Sequence, residues 1–102
     1  MAKPKVGLIH LDFEVFGKVQ GVFFRKYTQK KGNELGLRGW IMNTVNHTVK
    51  GQIEGDSGNV ETMKKWLRTN GSPKSRIDEA VFSCEKEIGQ YSFESKSFEI
   101  HR

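Results

Sequence analysis

Residues 9–25 read Ile9-His10-Leu11-Asp12-Phe13-Glu14-Val15-Phe16-Gly17-Lys18-Val19-Gln20-Gly21-Val22-Phe23-Phe24-Arg25, and they change period midway. Ile9, Leu11, Phe13 and Val15 alternate with His10, Asp12 and Glu14, which predicts a half-buried strand over 9–16. Gly17 and Gly21 then frame a tight loop. From Phe24 to Leu35 the spacing is helical, with Phe24, Tyr27, Thr28 and Leu35 on one face and lysines opposite. Gly32 lies inside this predicted helix, at a cost of about 1 kcal/mol relative to Ala, and Gly36 ends it.

The elements that follow complete a pattern. Leu37–Val45, with Trp40 and Ile41, reads as a strand that turns at Asn46-His47 into a second strand, Thr48–Glu54. A second helix is predicted with Asp56 or Ser57 as its cap. Its buried stripe is Val60, Met63, Trp66 and Leu67, and Gly71 and Pro73 stop it. In the last quarter Ala80, Phe82 and Cys84 alternate with Val81, Ser83 and Glu85, which puts Cys84 inward. Tyr91, Phe93, Phe98 and Ile100 follow a turn at Gly89-Gln90, with a bulge expected near Ser95–Ser97. Trp40 and Trp66 are expected in the core. The order is β-α-β-β-α-β with an extra terminal strand. It predicts an α+β, ferredoxin-like split βαβ sandwich: an antiparallel sheet with two helices on one face. A short flexible segment, 1–8, is expected to precede a single domain, 9–102.

Composition bounds the function. The 102 residues suit one domain, and 35% of them are hydrophobic, seven Phe and two Trp among them. Cys84 is the only cysteine, so an internal disulfide and a Cys-x-x-Cys site are excluded. No long apolar run marks a signal peptide or a membrane span. A soluble, cytoplasmic protein is expected. Seventeen Lys and Arg against twelve Asp and Glu give a net charge of +5. That charge attracts polyanions of any kind without choosing among them.

The glycine-framed loop is the candidate site. Amides at a helix start are unpaired and carry partial positive charge, and glycines let successive amides converge on an anion. Arg25, in the first helical turn, adds a guanidinium fork matched to phosphate oxygens. A helix start disfavours a cation, so that position makes sense with an anion between the two. By pattern alone the loop also reads as an ordinary connection, and Asn43 as a hairpin cap. Lys18, Lys26, Lys30 and Lys31 read as a solvated rim able to steer an anion inward.

Three segments carry a family resemblance. Phe16–Arg25, followed by Tyr27-Thr28, resembles the acylphosphatase pattern Gly-x-Val-Gln-Gly-Val-x-Phe-Arg. Gly39-Trp40-Ile41-Met42-Asn43-Thr44 resembles that family's Gly-Trp-Val-x-Asn segment, and Gly51-Gln52-Ile53-Glu54-Gly55 resembles the strand after it. The likeness extends from about Asp12 to Ile100 and takes in Met63–Leu67, Gly71–Pro73 and Ser75–Asp78. It implies a hydrolase of acyl phosphates that needs no metal or other cofactor. The likeness also implies that Arg25 and the backbone of Val19, Gln20, Gly21, Val22, Phe23 and Phe24 hold the phosphate, while Asn43 orients the attacking water. A free-standing enzyme is expected, and a monomer, since no amphipathic surface is left over once the fold is assembled. Gly32 departs from the family, where a better helix former is usual, and puts stability in question.

Two rivals are weaker. An RNA recognition motif shares the topology, but Lys50-Gly51-Gln52-Ile53-Glu54-Gly55 lacks its base-stacking aromatics and carries a glutamate. Metal carriage needs a thiolate pair that one cysteine cannot supply. A ligand-binding domain without catalysis stays open on the sequence. The expected partner is a small acyl phosphate, with no nucleic acid and no membrane.

Overall fold

The computed structural model describes residues 7–101. Seven elements follow in order: β1 Leu8–Lys18, α1 Phe24–Glu34, β2 Arg38–Asn43, β3 Val49–Asp56, α2 Ser57–Thr69, β4 Arg76–Ile88 and β5 Phe98–Ile100. The strands form one sheet in the order β4-β1-β3-β2-β5. The first four are antiparallel neighbours, the expected split βαβ core. The extra terminal strand joins β2 in parallel, Gly39 opposite Phe98 and Ile41 opposite Ile100, so the whole sheet is mixed. Of the segment expected at 1–8, residues 1–6 lie outside the described residues, and Leu8 already pairs in the sheet.

β1 is central, and its alternation decides the layers. Ile9, Leu11, Phe13 and Val15 are buried beside Val49 and Ile53 of β3. Val60, Met63 and Leu67 of α2, with Phe24 of α1, close the core over that face. The helix stripe differs from expectation at Tyr27, which is 40% exposed; α1 buries Phe24, Thr28 and Gly32 instead. Gly32 has a packing reason. A Cβ there would stand 2.8 Å from Cγ of Phe98, so the glycine lets β5 seat its ring against α1.

Several expectations at the ends and edges are corrected. Asp56 occupies the cap position of α2 without a side-chain cap hydrogen bond, and the Ser57 amide donates to the Gly7 carbonyl at 3.1 Å. Trp66 leans on the core against Phe24, but Trp40 lies half-buried on the helix-free face, stacked on His101 with ring centroids 5.2 Å apart. Cys84 is exposed, not packed inward, and its φ of 54° is left-handed. It sits where the β1–β4 register slips between His10/Lys86 and Asp12/Ser83. The extra residue at that irregularity re-aims the side chains, which period-2 counting does not anticipate. No strand contains Ser95–Ser97, so the bulge expected there is absent, and Tyr91 and Phe93 lie in the irregular, bent segment between β4 and β5.

That bent segment is fastened to the helix-free face by Glu54. The residue is fully buried, and its carboxylate accepts from the Ser92 amide at 2.8 Å, the Ser92 hydroxyl and the Phe93 amide at 3.4 Å. His10 Nδ1 lies 2.7 Å from Glu54 Oε2. Burial raises the carboxyl pKa, but the hydrogen bonds from Ser92, His10 and Phe93 together outweigh it, and the net direction is down. Arg38 adds a second fastening, donating to the Phe93 carbonyl at 3.0 Å while its guanidinium stacks 3.7 Å over Tyr91.

Candidate active site

Between β1 and α1 the chain is held by its apolar residues and shaped by its backbone. Val19, Val22 and Phe24 are buried and anchor the loop. Gly21, at φ 73°, and Phe23, at φ 60°, are left-handed, while Val22 between them is not. Alternation of this kind curls successive amides toward one side and makes a concave anion seat. Phe23 is the cap position of α1, yet no side chain caps the helix and no acidic residue stands in its first turn. The first helical bond runs from the Tyr27 amide to the Phe23 carbonyl, 3.1 Å, so the amides of Phe24, Arg25 and Lys26 precede it.

A cleft of about 580 Å³ opens over this start. It brings together Val19, Gly21, Phe23, Phe24 and Arg25 from the predicted site with Asn43 from the end of β2. The side chains of two predicted residues point elsewhere. Val22 is turned into the core, and Gln20 serves as a brace: its Nε2 donates to the Thr44 carbonyl at 2.9 Å and the Thr48 carbonyl at 2.8 Å. The loop is thus tied to the hairpin that carries Asn43. Arg25 is half-buried and has no ion-pair partner among the described residues. Asn43 Oδ1 is buried and accepts no hydrogen bond from the described residues, an unusual condition for a buried carbonyl.

Some contributors went unread in the sequence. Ile100 lines the cleft because β5 runs parallel beside β2, and Lys26 lines it as well instead of standing only at the rim. The hairpin tip is organised by Thr44 and Thr48, whose hydroxyls are 2.6 Å apart, and Thr48 Oγ1 donates to Glu14 Oε2 at 2.6 Å. The family resemblance included Thr44, but nothing local to Thr48 signals a bond to a residue 34 positions earlier. Among the described residues, no group of three or more His, Cys, Asp or Glu side chains is placed to hold a metal ion. No helix among them is long and apolar enough to cross a membrane.

A ferredoxin-like domain that aims an uncapped helix start, a left-handed loop and an arginine at one cleft belongs to the class that can hold a small tetrahedral oxyanion. Comparison with known proteins narrows that class. The acylphosphatase family model matches residues 11–100. Acylphosphatase-1 of Mus musculus is 55% identical over 86 residues, 84% of this chain and 87% of the relative. Acylphosphatase-1 of Homo sapiens is 58% identical over 81 residues, 79% and 82% of the two chains. The solved acylphosphatase of Coxiella burnetii superposes with a TM-score of 0.80 at 29% identity, covering 93% of this chain and 94% of that one. The chain belongs to the acylphosphatase family and is an acylphosphatase enzyme.

Proposed function

We propose that the protein hydrolyses acyl phosphates, carboxylic–phosphoric mixed anhydrides, to a carboxylate and inorganic phosphate, with Arg25 and the 19–24 backbone holding the phosphate and Asn43 the water. The observation that carries this reading is the shared cleft, with Arg25 at an uncapped helix start and Asn43 lining the same space. The guanidinium and the loop amides draw charge from the phosphoryl oxygens. The Asn43 side-chain amide hydrogen-bonds the water, holding its oxygen toward phosphorus. As the water–phosphorus bond forms, the bond from phosphorus to the acyl oxygen breaks, and the water's protons pass to phosphate oxygens and solvent.

The chemistry asks little more of the protein. A carboxylate is the conjugate base of an acid with a pKa of roughly 4, so it leaves without a general acid. The barrier is lowered by positioning and by a preorganised positive field, which Arg25, Lys26 and the helix start supply without a metal or other cofactor. The reading takes residues 9–102 as one domain acting as a cytoplasmic monomer on a small substrate, with no nucleic acid or membrane as partner; a single cysteine suits a reducing compartment.

Hydrolysis of benzoyl phosphate in ¹⁸O-labelled water tests the reading. Attack at phosphorus puts the label in phosphate. Label recovered in benzoate would mean attack at the carbonyl carbon, a geometry for which this phosphate cradle is not suited.

A further inference from the structure

A second groove, of about 330 Å³, adjoins the cleft and is lined by Phe23, Lys26, Tyr27 and Lys30. Phe23 and Lys26 line both spaces, so the groove continues the cleft along the outer face of α1. Its walls are unusual for the outside of a helix. Phe23 is 72% exposed and held in a left-handed conformation, and Tyr27 is 40% exposed. Neither ring contributes to the core. Lys26 and Lys30 are four residues apart on one face, so their stems are neighbours. Lys31 is compensated by Glu34 at 3.8 Å, whereas Lys26 and Lys30 have no ion pair among the described residues. Positive charge therefore steps outward from Arg25 to Lys26 to Lys30, beside two aromatic faces.

We propose that this groove is the acyl subsite, and that it selects acyl phosphates whose acyl group carries a second anionic group. The inference rests on the reading of the cleft as the phosphate site. With the phosphate held at Arg25, the acyl group leaves the cleft over Phe23 and Lys26 and lies against Tyr27. Its planar body contacts the rings, and its distal carboxylate or phosphate meets the Lys30 ammonium. Lys30 is then a specificity-determining residue that takes no part in the bond-breaking step. It acts on substrate affinity and leaves turnover of the bound substrate alone.

The experiment compares kcat/KM for 4-carboxybenzoyl phosphate with that for benzoyl phosphate, in wild type, Lys30→Gln and Lys30→Arg. Comparing the ratio between variants cancels the intrinsic reactivity of each anhydride. Lys31→Gln, which removes the same charge from outside the groove, controls for general loss of electrostatic steering. An exposed charge pair is worth at most roughly a five-fold change, so the ratio is expected to fall by up to that much in Lys30→Gln through KM. It should recover in Lys30→Arg and shrink in wild type at high salt. Phe23→Gly keeps the left-handed backbone and is expected to lower the preference for benzoyl over acetyl phosphate. An unchanged carboxybenzoyl ratio in Lys30→Gln overturns the second-anion subsite, and an unchanged acyl preference in Phe23→Gly overturns the aromatic wall. If wild type hydrolyses none of these substrates, the phosphate-site reading itself fails, a result distinct from either.

Discussion

The Gln20 side chain donates to the Thr44 carbonyl at 2.9 Å, joining the loop between β1 and α1 to the residue that follows Asn43. The same amide nitrogen donates to Thr48 at 2.8 Å, so one side chain sets the distance between the two halves of the site. Enzymes that work by positioning are sensitive to such supports, since a misplacement of about 1 Å can cost a hundredfold in rate. Gln20→Ala is expected to lower kcat on benzoyl phosphate by about tenfold or more. Its cost in stability should be only about 1 kcal/mol per lost hydrogen bond. Steady-state kinetics beside urea unfolding checks both. Activity near wild type would show that the brace is dispensable.

Gly32→Ala sets helix propensity against packing. Propensity alone favours alanine by about 1 kcal/mol. A Cβ placed 2.8 Å from Phe98 Cγ forces the ring to move, and overpacking of this kind costs about 1–3 kcal/mol. The expected net result is a lower urea midpoint with the m-value retained. A raised midpoint would mean that β5 yields easily.

Glu54 makes stability depend on acid pH. Its folded pKa lies below the ordinary value of 4.5, so between the two the unfolded chain binds more protons than the folded one. The stabilisation is present above pH 4.5 and is lost as pH falls through the lowered folded value. Glu54→Gln should destabilise the protein by about 1–3 kcal/mol near neutrality and flatten the decline at acid pH. Unfolding free energies measured from pH 7 downward in both proteins would expose a shared slope, which would contradict this account.

At Cys84 the chain asks a non-glycine residue to be left-handed at an exposed irregularity of β4. Asparagine tolerates that conformation better, so Cys84→Asn is expected to raise stability by about 0.5–1 kcal/mol. Loss of stability in thermal unfolding would restore the inward packing that simple alternation predicts.

Much of this was written locally. β1, α2 and the β2–β3 hairpin follow from period and turn chemistry, although β1 runs on through Gly17 and Lys18, paired with Ile77 and Arg76, where a loop was expected. The resemblance carried by Phe16–Arg25 and Gly39–Thr44 marked Val19, Gly21, Phe23, Phe24, Arg25 and Asn43 of the cleft's lining. What escaped was set by contacts between distant segments. The stagger of β4 against β1 turned Cys84 outward. The parallel seat of β5 explained Gly32 and brought Ile100 to the cleft. Gln20 was read as part of the cradle, and its bonds to Thr44 and Thr48 appear only once the hairpin stands beside the loop. Trp40 looked like core because a lone sequence does not say which sheet face the helices cover.

The most direct test of the central claim is benzoyl phosphate hydrolysis, followed by ultraviolet absorbance in chelator-containing buffer, for wild type, Arg25→Gln and Asn43→Ala. The account predicts turnover by wild type and losses on the order of a hundredfold or more in kcat/KM for each variant, with folding intact by circular dichroism. Near-wild-type activity in either folded variant would contradict the role assigned to that residue, and a chelator-sensitive wild type would contradict the metal-independent mechanism.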